Sequence, residues 1–318
     1  MTRTFNTRMV FRTMGALLLI ESVFMTMALG VSLWYNEADS DVFLLSTIVT
    51  LLFGVMGLLI GRRAESRMGE REGYVIVAMV WVVFSAFGLL PYYLSGQVPN
   101  LTDAWFETMS GFTTTGSTLL NNIDEQPHGI LFWRSIMQWL GGLGIIVLFL
   151  AIMPALNRSS NKVMMFSAEM SGIGVKKLHP KMMMTARKLL GIYIILTILC
   201  GFMYWLGPMN TFDAICHAMT TMSSGGFSTH QASISYFNSP YIEYVAAAFM
   251  FASGINFSLY YFLFTGQGKL FRENEELRWY IGTVVLMMSI FIALFYFAPR
   301  LNTILTQVDS YPQGFENR

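Results

Sequence analysis

Charge is scarce in this sequence. Asp, Glu, Lys and Arg make up 12% of its 318 residues, where a soluble domain carries about 25%. With 54% hydrophobic residues and a mean hydropathy of +0.51, the composition excludes an ordinary water-soluble globular protein. Cysteine is limited to Cys200 and Cys216. That excludes a disulfide framework, and their placement suits small apolar packing residues. The four histidines, His128, His179, His217 and His230, show no metal-ligand spacing. A net charge of +1 argues against a nucleic-acid partner. No enzyme signature is present: Thr265–Leu270 (TGQGKL) lacks the leading glycine spacing and the Ser/Thr after lysine that a phosphate loop needs, and no nucleophile elbow appears. The chain is therefore read as a non-enzyme.

Long apolar runs fill the space that charge leaves. Seven approach or exceed the roughly 20 residues of a membrane-spanning helix: Met14–Tyr35, Val42–Ile60, Tyr74–Leu94, Gly129–Met153, Leu189–Leu206, Tyr241–Phe264 and Trp279–Ala298. The first is too long for a signal peptide and carries Glu21 and Ser22, so it reads as an uncleaved helix. With the N-terminus cytoplasmic and one crossing per run, every Lys and Arg except Arg134, Arg300 and Arg318 falls on the cytoplasmic side. The reverse orientation would invert this positive-inside bias.

Two further apolar stretches, Leu101–Phe112 and Thr211–Met222, reach only about half a span. Each leads into a small, hydroxyl-rich segment, within Thr108–Leu120 (TMSGFTTTGSTLL) and Ala218–His230 (AMTTMSSGGFSTH). The two segments correspond at one fixed offset along the chain: Asp103 matches Asp213, Met109 matches Met219, Gly116 matches Gly226, and further on Gly144 matches Gly254. Irregular backbone at membrane depth is tolerated only where it lines a water-filled path or is buried in protein. A repeated re-entrant loop with Thr/Ser-Gly points to an ion filter built of backbone carbonyls. The expected filter residues are Thr113, Thr114, Thr115 and Gly116 in the first loop and Ser223, Ser224, Gly225 and Gly226 in the second. They are taken as extended chain, with Gly116 and Gly226 supplying unusual φ/ψ values. The negative helix-dipole ends of the two short helices would favour a cation below the filter.

Each repeat of long helix, short helix, loop and long helix crosses the membrane an even number of times. Successive repeats are therefore parallel, as in a channel-like pore; inverted repeats, the device of many carriers, would need an odd count. The expected fold is an all-α membrane protein, with an extra N-terminal helical hairpin followed by parallel helix–pore-helix–helix repeats, two complete and a third begun. The expected divisions are 1–72 for the hairpin and its cytoplasmic loop, 73–153 for the first pore unit, 154–186 for a cytoplasmic linker, 187–264 for the second pore unit, and 265–318 for a loop, the first helix of a third unit and an external tail. The linker is either a plain basic connector or a contact for a soluble partner or the inner leaflet.

Other polar residues receive more modest roles. Asp103 and Asp213 are read as helix-capping groups, with ion attraction as the alternative. Glu107 and its counterpart His217 are expected to hydrogen-bond behind the filters, and Arg134 to snorkel or pair with Glu107 or Glu125. Glu21 is a functional suspect by its depth, although its place near the cytoplasmic end permits simple packing. Asn256 is a possible inner-cavity residue. Gly141, Gly142 and Gly144 permit close helix approach.

At these residues the sequence resembles the Trk/Ktr superfamily of potassium transporters, and within it the TrkH-type membrane subunits. The resemblance rests on the two filter loops, Phe132–Ile146 (FWRSIMQWLGGLGII), Ala186–Thr197 (ARKLLGIYIILT), Phe212–His217 and Phe251–Tyr260 (FASGINFSLY), and runs from about Met14 to Ala298. It implies a pore of four non-identical units in one polypeptide, each filter centred on one glycine. It also implies potassium as the transported ligand with no covalent cofactor, a homodimer, a cytosolic TrkA-type nucleotide-binding regulatory subunit, and residence in the bacterial inner membrane. The chain departs from that pattern in carrying two complete units and the start of a third. The expectation is accordingly part of a longer subunit, inactive alone. The alternatives are a two-filter channel completed by dimerisation and a non-conducting membrane scaffold.

Overall fold

The computed structural model describes residues 5–64, 70–156, 182–264 and 266–297, and all its regular elements are helices. In chain order they are α1 (Thr7–Tyr35), α2 (Ser40–Ile60), α3 (Glu70–Gly88), α4 (Leu90–Leu94), α5 (Leu101–Phe112), α6 (His128–Leu156), α7 (Met182–Trp205), α8 (Thr211–Met222), α9 (Pro240–Ser253), α10 (Phe257–Phe264), α11 (Gly268–Arg272) and α12 (Glu275–Phe297). Short 3-10 turns occupy Gly61–Arg63, Ile123–Glu125 and Ser233–Phe237. Most of the linker expected at 154–186, and the external tail from residue 298 onward, lie outside the described residues; α7 starts at Met182, inside the linker's expected end.

Among the described residues, five stretches are long and apolar enough to cross a membrane: Thr7–Tyr35, Ser40–Arg63, Arg71–Leu94, Lys188–Trp205 and Glu275–Leu294. Their large apolar side chains, among them Leu33, Leu52, Leu59, Ile198 and Phe202, are exposed, as suits helices solvated by hydrocarbon. The run at 129–153 is carried by the single helix α6.

The run Tyr241–Phe264, expected as one helix, is broken. α9 stops at Ser253 with Gly254 as its C-cap, and α10 starts at Phe257. Both residues at the break act against a continuous helix. Glycine is among the poorest helix formers, and asparagine favours helix ends. The Asn256 carbonyl accepts the Leu259 N–H at 2.9 Å, and Tyr260 Oη donates to the Ala252 carbonyl at 2.6 Å. Gly144, the counterpart of Gly254, is instead accommodated within α6. A second interruption separates α3 from α4, where Pro91 sits in the first turn of α4 and lacks the N–H that a continuous helix would use. The indole N–H of Trp133 donates to the Gly88 carbonyl at this bend, at 3.0 Å.

The described residues up to 261 form one compact unit, and those from 262 to 297 another. In the first, α1 and α2 pack closely through small residues: a Cβ on Gly15 would lie 2.6 Å from the Gly54 carbonyl oxygen, and one on Gly57 2.8 Å from the Gly15 Cα. The hairpin also contacts α3 and α6 through α1. α3, α5 and α6 pack mutually, as do α7, α8 and α9. α6 touches both α7 and α8 and so joins the two groups. Two buried apolar clusters support the short helices. One holds Phe112, Trp133, Met137, Tyr92 and Phe43; the other holds Tyr193, Tyr204, Cys200, Met222 and Ile242.

Candidate functional site

The two short helices have the sequence-derived bounds and twelve residues each. Their N-caps are Asn100 and Asn210, a pair related by the same offset as the two loops. Asn100 Oδ1 accepts the Thr102 N–H at 3.0 Å, and Asn210 Oδ1 accepts the Asp213 N–H at 2.8 Å. The capping role expected of Asp103 and Asp213 thus belongs to the asparagines three positions earlier. The aspartates lie in the first turn, where a carboxylate still complements the helix dipole.

The C-terminal ends match bond for bond. Thr113 N–H donates to the Met109 carbonyl (2.9 Å), Thr114 to Gly111 (3.0 Å) and Thr115 to Ser110 (2.9 Å). In the second loop Ser223 donates to Met219 (3.2 Å), Ser224 to Thr221 (3.1 Å) and Gly225 to Thr220 (2.9 Å). These are paired Schellman closures, which require a left-handed residue just past the C-cap. Thr114 and Ser224 fill that position, each at φ 55°. The sequence reading treats Thr113–Gly116 and Ser223–Gly226 as extended throughout. The first two residues of each instead form the helix-closing turn, because the last helical carbonyls need donors. Beyond the turn Gly116 and Gly226 take φ of 79° and 82°, where glycine alone carries no Cβ penalty. Among the described residues no hydrogen bond ends on the carbonyl oxygens of 113–116 or 223–226. Three N–H groups of each loop thus go to the short helix before it, while a run of oxygens stays uncommitted among the described residues.

Helix α6 wedges between the loops. A Cβ on Gly141 would fall 2.0 Å from the Phe112 carbonyl oxygen, and one on Gly142 2.9 Å from Ser223 Cβ. Consecutive glycines of one helix thus meet the ends of both short helices. Gly144 is looser, its nearest neighbour Trp81 at 3.7 Å. One turn earlier the fully buried Gln138 accepts the Phe227 N–H through Oε1 at 3.0 Å. Sequence reasoning passed over Gln138; the available signal was a polar residue inside a long apolar helix, one turn after Arg134. The loops also meet directly, since a Cβ on Gly116 would lie 2.1 Å from the Gly225 carbonyl oxygen.

Behind the loops runs a buried polar network. Arg134 Nε donates to Glu107 Oε1 (3.2 Å), its NH1 to the Ser228 carbonyl (3.0 Å) and its NH2 to Thr118 Oγ1 (3.0 Å), with the guanidinium 4.2 Å above the Phe227 ring. Glu107 also accepts from Thr118 Oγ1 and the Leu119 N–H, at 2.8 and 2.9 Å. Of the roles considered for Arg134, pairing with Glu107 is observed, and it ties the first loop to the second. His217, the counterpart of Glu107, bonds the Asp213 carbonyl and Ser228 Oγ. Farther out, His230 stacks on Tyr236 and contacts Asp124 (2.7 Å) and Asp213 (3.1 Å). The hydrogen bond from His230 holds the Asp124 carboxyl below its ordinary pKa, with the Gln231 N–H adding to the effect.

Asn256 is half-buried at the α9–α10 break, beside Ser253, whose hydroxyl meets Ser224 Oγ at 3.0 Å. Glu21 is fully buried, with both carboxyl oxygens lacking a hydrogen-bond partner among the described residues. It faces Gly88, itself packed on Thr108 and Phe112 of α5. No cluster of three or more His, Cys, Asp or Glu suited to a metal occurs among the described residues.

Fold and site together define a helical membrane protein built on paired short helices, each followed by a loop whose carbonyl oxygens are unbonded among the described residues. Comparison with known proteins sharpens this. The family model for the TrkH cation transport proteins matches residues 39–308, and the chain belongs to that family. It is 37% identical over 306 residues to the Trk system potassium uptake protein TrkH of Salmonella typhimurium, covering 95% of this chain and 63% of the relative. It is 35% identical to TrkG of Escherichia coli, covering 87% and 58%. The crystal structure of the potassium transporter TrkH from Vibrio parahaemolyticus superposes with a TM-score of 0.79 at 36% identity, covering 92% of this chain and 60% of that one. The chain thus spans less than two thirds of the length of these relatives.

Proposed function

We propose that this chain contributes two filter loops to a potassium uptake pore of the Trk type. K⁺ would be held by carbonyl oxygens of Thr113–Gly116 and Ser223–Gly226. One observation carries the reading: the two repeated loops share the same left-handed positions and the same helix closures, and both leave these oxygens unbonded. Two chemically different sequences, TTTG and SSGG, converge on one backbone, as expected if backbone is the ligand. Carbonyls can replace a cation's water shell without a full charge that would trap the ion. A single glycine at the filter centre of each loop, Gly116 and Gly226, supports modest selectivity. Inner-cavity lining by Asn256 belongs to the same reading.

The remaining parts of the proposal follow the family resemblance and the basic-residue bias: a bacterial inner-membrane location with the N-terminus cytoplasmic, a homodimer, and a TrkA-type nucleotide-binding partner. K⁺ itself is cargo, and the residues ask for no covalent cofactor. The test is growth and rubidium uptake in a bacterial strain lacking its own potassium uptake systems, with the natural gene product and its Gly226→Ala variant. Rescue by the natural protein, with altered K⁺ over Na⁺ preference in the variant, is expected. Unchanged uptake and preference in the variant would remove the filter assignment.

A further inference from the structure

Gln138 lies on α6, outside both loops, yet it stands where they converge. Its Oε1 accepts the Phe227 N–H at 3.0 Å, immediately after Gly226, and its side chain is wholly buried. A Cβ at residue 225 would lie 2.3 Å from both Cδ and Oε1 of Gln138 and 2.7 Å from Nε2, so the amide fills the space that any larger residue there would need. The Gly225 carbonyl held this way is the atom pressed on Gly116 of the other loop. Nε2 lies 4.0 Å from the position a Gly116 Cβ would take, and it is buried without a hydrogen-bond partner among the described residues. A buried amide donor left unpaired costs free energy comparable to a lost hydrogen bond. Apolar side chains of similar volume would fill the same place without that cost, yet the position holds an amide between the glycines of the two loops.

We propose that Gln138 is a positioning residue that sets the spacing between the two filter loops and thereby the ion preference of the pore. The assignment rests on the filter reading above. Its acceptor end fixes the backbone at Phe227, and its body wedges Gly225 against Gly116. It acts through the loops and does not touch the ion.

The experiment uses the natural gene product in the uptake-deficient strain, with initial rates of K⁺ and Na⁺ uptake and a KM-against-Vmax split. Gln138→Leu removes both polar ends and is expected to shift the preference for K⁺ over Na⁺ by about tenfold, the scale of one net hydrogen bond, with the larger change in KM for K⁺. Gln138→Met keeps an unbranched side chain of similar volume without the amide, so a shift of preference with the protein made in normal amount assigns the effect to the amide rather than to the space it fills. Gly225→Ala is expected to lose membrane expression, and adding Gln138→Ala to restore it, with the preference still altered. Unchanged preference in Gln138→Leu, or no restoration in the double variant, overturns the proposal. Gly226→Ala serves as the reference. If it changes preference while Gln138→Leu does not, only the positioning role falls; if neither does, the filter reading falls first.

Discussion

Gly116 and Gly226 occupy equivalent places in two loops of the same backbone form, yet the structure makes their replacement by alanine unequal. Both sit at strongly positive φ, 79° and 82°, so each alanine incurs left-handed strain of roughly 1–2 kcal/mol. Surroundings then separate them. The new methyl at 116 would lie 2.1 Å from the Gly225 carbonyl oxygen, a backbone atom that can yield only if the second loop moves, whereas the methyl at 226 meets nothing within 4 Å. Overpacking of that kind adds about 1–3 kcal/mol. Gly116→Ala should therefore lose roughly 2–5 kcal/mol and disturb both loops, against roughly 1–2 kcal/mol for Gly226→Ala. Tryptophan-fluorescence melts of the purified proteins in detergent, paired with uptake assays, give the comparison. Gly226→Ala is expected to melt near the parent and show its defect in ion preference, while Gly116→Ala melts markedly lower. A Gly226→Ala protein as destabilised as Gly116→Ala, or more so, would refute the argument that the Gly225 carbonyl crowds Gly116.

Arg134→Met should destabilise by about 3–5 kcal/mol, because it strands the buried Glu107 carboxylate; adding Glu107→Gln should recover most of the loss, and membrane yield with detergent melting reads both. Gly141→Ala places a methyl 2.0 Å from the Phe112 carbonyl oxygen while Gly144→Ala finds its nearest neighbour at 3.7 Å, so expression and stability should fall only for the first. Asp124, held below its ordinary pKa by its hydrogen bond from His230, stabilises its contact fully above the unfolded aspartate pKa of about 3.9 and loses that contribution as pH falls through the lower folded value. The stability gap between the parent and Asp124→Asn should thus be present at neutral pH and close on acidification below that range; a gap that widened there would reverse the sign of the argument.

What the sequence discloses here tracks how local the physics is. The bounds of α5 and α8 were readable because a half-length apolar run ends at its own turn residues, and the internal repeat singled out Gly116 and Gly226 without any knowledge of packing. The break in Tyr241–Phe264 was written there too, in Gly254 and Asn256, but hydropathy averaged over a span does not register two residues. Conversely, Gly144 carries the same letter as Gly254 and remains inside a helix, so a glycine marks a break only when its neighbours also favour an end. The caps show a finer limit: Asp103 and Asp213 drew attention by charge, while Asn100 and Asn210 hold the cap positions by geometry. Least legible were the contacts made across the fold. Arg134 reaching Ser228, Gln138 reaching Phe227, and Gly141 and Gly142 meeting the ends of the two short helices join residues that sequence distance keeps apart. A carbonyl filter has to depend on such contacts. Its ligands are chemically identical in every residue, so selectivity must reside in how the surrounding side chains fix their spacing, and on the reading proposed above α6, which carries all four of these residues, sets it.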